Sequence, residues 1–182
     1  MPHEFKEALS ESHTAFRELV MPPLLKVFEG GTIVPTEGAP GELEQMLDRD
    51  AGIDAIMFSE YGVYGIASRI QFDANYRTFT IRKERQSGRT TEWEKLQRAA
   101  RYGAMAPSFT VQAYVDRTDM KLLDAAVVCT NDLVRWIENN PCETRTTGRD
   151  QYGQAEFWVV PWDKLQKTES VWFRELTPNI LE

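Results

Sequence analysis

Residues 47–85, LDRDAGIDAIMFSEYGVYGIASRIQFDANYRTFTIRKER, decide how the chain folds. Three runs rich in apolar and β-branched residues are separated by turn clusters that contain glycine, aspartate and asparagine. This pattern predicts strands at 53–59, 63–72 and 77–85, each adjacent to the one before it. We therefore expect a three-strand meander within a central sheet.

A helical pattern precedes the meander. Apolar residues at helical spacing predict an N-terminal helical segment over 4–29, and Pro22 and Pro23 must break or kink it because neither residue can donate to the helix ladder. Glycines and prolines then predict a loop at 32–41. Residues 42–47 fit either a helical turn or a short strand.

Helices and strands alternate after the meander. Thr91 and Glu94 have the spacing of a capping box, which predicts the start of a second helix. Thr130 or Asn131 caps a further short helix. Three more strands are expected, two before that short helix and one after a Gly- and Thr-rich loop, at 108–115, 122–129 and 156–162.

The order of these elements predicts an α/β (α+β) fold, with a central mixed β-sheet of about five to six strands flanked by helices. At 182 residues and 42% hydrophobic content, the chain is long enough to bury one full core. We expect a single domain over 1–182.

Composition also bears on location and redox state. No apolar run approaches the length of a membrane span, and the first residues are acidic and amphipathic, whereas a secretory signal is basic and then apolar. We therefore expect a cytoplasmic protein. Cys129 and Cys142 have neither metal-site spacing nor the density of a disulfide framework, so both are predicted to be free thiols.

Charge is distributed unevenly along the chain. The formal net charge is −7, yet residues 69–101 hold 9 Lys/Arg against 4 Asp/Glu, while residues 1–60 hold 4 against 12. The basic segment predicts a phosphate-binding face made by Arg82, Lys83, Arg85 and Arg89. The alternative is that these four residues are a solvated strand end and turn.

Three polar residues of the meander form a candidate site. Asp54 lies at the entrance of the first strand, and Arg69 and Gln71 alternate onto one face of the second strand. An unpaired charge is costly on so apolar a strand, which favours a functional role for Arg69. The alternative for Asp54 is a carboxylate that bonds local backbone amides, and for Arg69 an ordinary surface or interface cation.

DRDAGID at 48–54 is followed by a short hairpin and a strand that ends in a basic residue, and VVPW stands later at 159–162. Together these features, which cover roughly residues 44–165, resemble the PD-(D/E)XK nuclease-like superfamily. The resemblance implies a restriction-endonuclease-like core and cleavage of phosphodiesters with divalent metal. Members include phage and mobile-element proteins, so a similar origin is implied here.

The motif transfers to this chain in part. Asp54 matches the metal-binding aspartate, whereas Ala67 and Arg69 stand where the family has an acid and a lysine. The amide oxygen of Gln71 could take the place of the missing acid and so complete the set of motif residues. Glu18 and Glu44 are candidates for the helix-borne acid of many relatives, with Asp54 and Glu44 as the predicted ligands of Mg²⁺ or Mn²⁺.

Two functions follow from the resemblance. The first is a metal-dependent DNA endonuclease with Asp54, Arg69 and Gln71 as catalytic residues. The second is a catalytically inactive nuclease-fold protein that binds nucleic acid or a protein partner, for example as a DNA mimic that presents its acidic N-terminal third. His3 and His13, the only two histidines, both fall in the first helical region, and they predict no separate hydrolytic site.

Overall fold

The computed structural model describes residues 10–36, 41–147 and 154–176, and the structural statements below concern those residues. Within them the strands are, in chain order, β1 (Thr32–Pro35), β2 (Ala55–Ser59), β3 (Gly62–Phe72), β4 (Thr78–Arg85), β5 (Phe109–Asp116), β6 (Lys121–Cys129), β7 (Glu143–Thr146), β8 (Ala155–Pro161) and β9 (Phe173–Glu175). They form a six-stranded mixed sheet in the order β1-β2-β3-β5-β6-β9 and a three-stranded sheet in the order β4-β8-β7.

Helical segments flank the two sheets. The first, α1, runs through residues 10–15, the π-helical turn Phe16–Val20 and Met21–Val27. The others are α2 (Glu42–Met46, continued by the π-helical turn Leu47–Ala51), α3 (Glu92–Tyr102), α4 (Thr130–Asn139) and α5 (Trp162–Gln166). The predicted α/β architecture with a central mixed sheet of five to six strands and flanking helices is confirmed.

The predicted adjacency of the three meander strands is wrong for the third. On its two sides β3 pairs with β2 (antiparallel) and with β5 (parallel), while β4 pairs with β8 in the smaller sheet. The connection between β3 and β4 contains Asp73 and Arg77 with φ of 57° and 49°, left-handed values that redirect the chain away from β3. The hydroxyl of Tyr114 then accepts from the N–H of Thr78 at 3.0 Å, which fixes the start of β4 against β5.

Three short strands were not predicted from the sequence. Strand β1 lies in the predicted loop at 32–41, β7 lies in the predicted Gly- and Thr-rich loop, and β9 follows the strand that was predicted to be last. All three stand at a sheet edge. An edge strand tolerates Pro35 because one side of its backbone has no ladder to complete.

Helix α1 continues through its two prolines instead of breaking. The turn just before them is π-helical, and the N–H of Met21 bonds to the carbonyl of Phe16 five residues earlier. Pro22 and Pro23 then occupy the first turn of the following α-helical part, where the missing N–H groups cost least. Residues 4–9 of the predicted helical segment lie outside the described residues.

Apolar side chains pack on both faces of the larger sheet. Strand β5 shows the division, because Val111 and Val115 face the first layer and Tyr114 faces the second. The first layer packs α1 on the larger sheet and includes Phe16, Val20, Leu24, Met57 and Ile66. The second layer lies between the sheets and α4 and includes Phe79, Val128, Leu133 and Trp162.

The described helices include none that is long and apolar enough to cross a membrane. Cys129 and Cys142 are both free thiols, as predicted. The cytoplasmic location stays a prediction.

Candidate functional site

Two adjoining cavities form one cleft between the sheets. The first, here called the α1 cavity, has a volume of about 760 Å³ and lies between α1, β3, β4 and the strands β7 and β8. The second, the α3 cavity, has a volume of about 750 Å³ and lies between the α2 turn, α3 and the same part of β3 and β4. Five residues line both cavities and so mark the centre of the cleft: Asp54, Ser68, Arg69, Thr80 and Arg82.

Asp54 is fixed at this centre by its backbone and its carboxylate. Its N–H donates to the carbonyl of Ile66 at 2.8 Å, and its Oδ2 accepts from the N–H of Ser68 at 2.6 Å. The carboxylate therefore bonds a backbone amide of the neighbouring strand, as its alternative role predicts, and also lines both cavities.

Arg69 is held by a carboxylate that the sequence pattern did not single out. Its guanidinium forms an ion pair with Glu92 and lies 4.9 Å from the ring centroid of Phe157. The guanidinium of Arg82 lies 5.2 Å from the same centroid, and the backbone N–H of Arg82 donates to Glu92 Oε2 at 3.0 Å. One carboxylate and one ring thus position both central arginines.

Glu92 is ionised in this environment. Burial opposes the charge, but the guanidinium groups of Arg69 and Arg82 and the hydrogen bonds from these residues hold the pKa of Glu92 below its ordinary value. The residue lies in the first turn of α3, where the helix dipole also favours an anion. The predicted capping box, which places Glu92 immediately after the N-cap, was the signal that could have identified it.

Gln71 lines the α1 cavity, and its amide contacts the buried side chain of Gln112. The side chain of Gln112, which is 1% exposed, donates to Gln71 Oε1 at 3.5 Å and to the carbonyl of Arg69 at 3.4 Å. Thr80 Oγ1 in turn donates to Gln112 Oε1 at 3.1 Å. The Gln71 oxygen therefore faces Gln112, and its amide nitrogen is the group directed to the cavity.

The four predicted phosphate-binding residues do not share one location. Arg82, Arg85 and Arg89 line the α3 cavity. Lys83 does not line either cavity, since its Nζ donates to Glu156 Oε2 at 3.1 Å and lies 4.6 Å from the ring centroid of Trp158. Alternation along β4 separates Lys83 from Arg82, and the register shift between Arg82 and Glu84 allows Arg85 to line the cavity although it follows Lys83 by two residues.

The cleft as a whole is basic. Of the described residues that line it, eight carry a positive charge: Arg17, Arg49, Arg69, Arg82, Arg85, Arg89, Lys95 and Arg145. Four carry a carboxylate: Asp48, Asp50, Asp54 and Glu92. A chain with a net charge of −7 thus concentrates cations along one groove.

His13 also lies in this cleft, which sequence reasoning missed. It lines the α1 cavity together with Asp54 and Arg69. No local signal in the sequence indicates this placement, because it depends on how α1 packs across β3. His3 lies outside the described residues.

The donors available to a divalent cation are few. Among the described side chains, no group of three or more His, Cys, Asp or Glu could hold a metal ion. Glu44 lies in α2, and the structure does not describe its side chain. Burial raises the pKa of Asp48 in the α3 cavity, although Lys95 and His13 act in the opposite direction. The described side chains therefore do not form a resident metal site, and the Mg²⁺ or Mn²⁺ implied by the resemblance stays a prediction.

Comparison with protein-family models, with curated proteins and with solved structures finds no match to this chain. The resemblance to PD-(D/E)XK nucleases accordingly stays a prediction from residues 44–165.

Proposed function

We propose that this protein binds the sugar-phosphate backbone of nucleic acid in the cleft around Asp54. The observation that carries the proposal is the excess of cations in that cleft, eight against four carboxylates, on a protein whose net charge is −7. Phosphate groups neutralised by Lys and Arg release condensed counterions, and this release drives the binding of nucleic acid. DNA is the partner expected from the sequence.

Among the described residues, several of these cations have no carboxylate partner that would compete with a phosphate. In the part of the chain that the structure describes, Arg17, Arg85 and Arg89 form no ion pair with a carboxylate, unlike Arg49, which pairs with Asp50 at 2.9 Å. A charged side chain without an ion pair remains available to a ligand, and guanidinium groups bind phosphate in a bidentate manner. Arg85 and Arg89 are therefore the best residues with which to test the proposal.

The double variant Arg85→Gln/Arg89→Gln should bind DNA more weakly, on the order of tenfold, and the slope of log K against log salt should fall by about two. The control Lys121→Gln/Lys164→Gln removes the same charge from exposed positions outside the cleft and should bind as the wild type does. Fluorescence anisotropy across a salt series measures both quantities. A wild type that binds no nucleic acid at low salt, or two double variants with equal losses, would contradict the proposal.

Cleavage of the bound phosphodiester is a second candidate function. The observation in its favour is that Asp54 and Arg69, the motif residues predicted from the sequence, line the same solvent-reachable cleft. A phosphodiester that is hydrolysed develops negative charge, and a guanidinium held in place by Glu92 would stabilise that charge. Asp54 would supply the carboxylate at the reacting group.

Asp54→Asn separates cleavage from binding. The substitution removes a negative charge from the cleft, so DNA affinity should be retained or increased, whereas any Mg²⁺- or Mn²⁺-dependent cleavage should be lost. Linear, circular, branched and single-stranded substrates are incubated with both proteins and separated on gels. If the wild type leaves all four uncut, cleavage is excluded and the binding proposal stands.

The acidic mimic stays a prediction without an observation in its favour. The residues expected to contact the partner are Glu37, Glu42, Glu44 and Asp48. Glu37 lies outside the described residues and the side chain of Glu44 is not described, while Glu42 is exposed and Asp48 is half-buried within the cleft. Charge reversal at Glu37, Glu42, Glu44 and Asp48 would slow association with a basic protein partner, most clearly at low salt. A cytoplasmic location and a phage or mobile-element origin also stay predictions.

A further inference from the structure

We propose that the α1 cavity holds one unpaired nucleotide, so that the protein prefers single-stranded nucleic acid or a frayed strand end to an intact duplex. This inference rests on the proposed binding of nucleic acid and adds the class of substrate. Three observations support it: the depth of the central arginines, the size of the cavity, and the donor that Gln71 directs into it.

The central arginines are recessed between the two sheets. The side chains of Arg69 and Arg82 are 22% and 27% exposed, and both lie over the ring of Phe157, which is 8% exposed. A duplex is a stiff rod whose bases are stacked inside, so it presents only its outer phosphates to a protein surface. A single strand bends freely and can insert a nucleotide between α1 and β8 to reach the recessed groups.

The α1 cavity has the size of a small-ligand site. Its volume of about 760 Å³ lies within the usual range for pockets that enclose small molecules, roughly 300 to 1,000 Å³. Arg17 and Arg145, both exposed, line the cavity from α1 and β7 and would contact the phosphates that flank an inserted nucleotide.

Gln71 supplies a contact that phosphate binding alone does not require. Its oxygen faces Gln112, and within the described residues its amide nitrogen has no acceptor. A half-buried amide N–H₂ on the cavity side of Gln71 would donate to a carbonyl or ring nitrogen of a base. In a duplex the Watson–Crick edge of the base is occupied, whereas in a single strand it is open to Gln71.

The test uses three DNA probes of equal phosphate number: a single strand of mixed sequence, the same strand with abasic sites, and a closed duplex. The wild type should bind the single strand about tenfold or more tightly than the closed duplex. Gln71→Ala should weaken binding of the base-containing strand by about fivefold, as expected for one hydrogen bond, and leave the abasic strand unchanged. Gln97→Ala, an exposed glutamine on α3 outside the cleft, is the matched control.

The outcomes separate this inference from the proposal on which it rests. Equal or tighter binding of the closed duplex would overturn the preference for an unpaired nucleotide while the binding function stands. Equal losses of Gln71→Ala on the abasic and base-containing strands would overturn the base contact. If no probe binds, both the inference and the proposed function fail. Should Gln71→Ala melt below the assay temperature, the near-isosteric Gln71→Met provides the same comparison.

Discussion

Glu92 contacts two arginines of the cleft at once, so the protonation of its carboxyl determines whether this contact stabilises the fold. Its carboxylate forms an ion pair with Arg69 and lies 3.8 Å from Arg82 Nη1. The burial of Glu92 would raise its pKa, but the two guanidiniums lower it below the ordinary value. A carboxyl whose pKa is lowered by folding stabilises the fold at pH values above its unfolded pKa, and that stabilisation is lost as the pH falls through the folded pKa.

We predict that Glu92→Gln destabilises the protein by about 1–2 kcal/mol at pH 7, a value reduced for the 36% exposure of the side chain. The difference from the wild type should be constant above the ordinary glutamate pKa of about 4.3 and should then shrink on further acidification. Urea unfolding at a series of pH values measures it. The control Glu138→Gln, at an exposed position on α4, should show no such trend. A difference for Glu92→Gln that does not change with pH would contradict a lowered pKa of Glu92 in the folded protein.

Gly31 is required for a close approach of two backbone segments. A Cβ at this position would lie 2.3 Å from the carbonyl oxygen of Phe58, which is backbone and has little freedom to move. The neighbouring Gly30 has a similar φ, 105° against 109°, but a Cβ at Gly30 would meet no atom of the described residues within 4 Å. A comparison of substitutions at Gly30 and Gly31 therefore separates the cost of backbone strain from the cost of steric overlap.

We predict that Gly31→Ala is more destabilising than Gly30→Ala. Both variants are strained by a positive φ, at a cost of about 1 kcal/mol each, and only Gly31→Ala adds an overlap that should bring its total to about 3 kcal/mol or more. Thermal melts of the two variants give the comparison. Equal melting temperatures would show that β2 moves aside freely.

The proximity of two residues could be predicted from the sequence where they are close along the chain. Asp54 and Arg69 come from adjacent strands joined by a short turn, so their convergence on one cleft follows from the strand pattern. Glu92 and His13 reach the same cleft from helices, and their placement depends on crossing the sheet at a particular angle. Periodicity specifies which face of a helix is buried, but it does not specify the angle.

Helix α3 is the element that presents Glu92 to the cleft, and its N-terminus is fixed by a complete capping box. Thr91 Oγ1 accepts from the N–H of Glu94 at 3.3 Å, and Glu94 Oε2 accepts from the N–H of Thr91 at 2.7 Å. Thr91 Oγ1 also donates to the carbonyl of Lys83 at 3.2 Å, which ties the cap to β4. The cap therefore sets the distance between Glu92 and the arginines of the sheet.

We predict that Thr91→Ala destabilises the protein by about 1–2 kcal/mol, because it removes the cap and leaves the Lys83 carbonyl without this donor. It should also weaken DNA binding, since Glu92 would no longer be held in register with Arg82. Thr90→Ala, at the adjacent exposed position, is the control and should change stability little. Chemical denaturation and anisotropy measure the two effects; stability as high as that of the control would contradict the role of the cap.

Elements with a strong local signal were predicted from the sequence, and elements stabilised by distant partners were not. The capping box of α3 is an interaction within four residues, and it was predicted correctly. Strands β1, β7 and β9 have three or four residues each, and their pairing with β2, β8 and β6 supplies what their own sequence lacks. The departure of β4 from the meander likewise depends on β8, about 70 residues later.

The two sheets are joined through their shared apolar layer and through one buried hydroxyl. Tyr114 on β5 is fully buried, and its hydroxyl donates to the carbonyl of Thr78 at 2.9 Å while it accepts from the N–H of the same residue. Burial raises the pKa of Tyr114, although its bonds to Thr78 act in the opposite direction. The hydroxyl of a residue in the larger sheet thus bonds to the backbone of β4, which belongs to the smaller sheet.

We predict that Tyr114→Phe destabilises the whole molecule by about 1–3 kcal/mol, because two buried backbone groups of Thr78 lose their partner. Unfolding should remain one transition, with coincident midpoints by far-UV circular dichroism and tryptophan fluorescence, since the apolar layer still joins the sheets. Tyr102→Phe, at an exposed position on α3, should have little effect. Two separate transitions in the wild type would contradict the coupling of the sheets.

The pairing of β4 with β8 also has a consequence for synthesis on the ribosome. Each residue of β4 emerges 70 to 83 residues before its partner in β8, from the pair Arg85 and Ala155 to the pair Thr78 and Pro161. At a typical elongation rate of about 5–20 residues per second, β4 remains without its hydrogen-bonding neighbour for roughly 4 to 17 seconds. During that interval its apolar side chains Phe79 and Ile81, both buried in the finished protein, are exposed on a nascent strand. The smaller sheet, and with it the basic cleft, is therefore completed only when most of the chain has been translated.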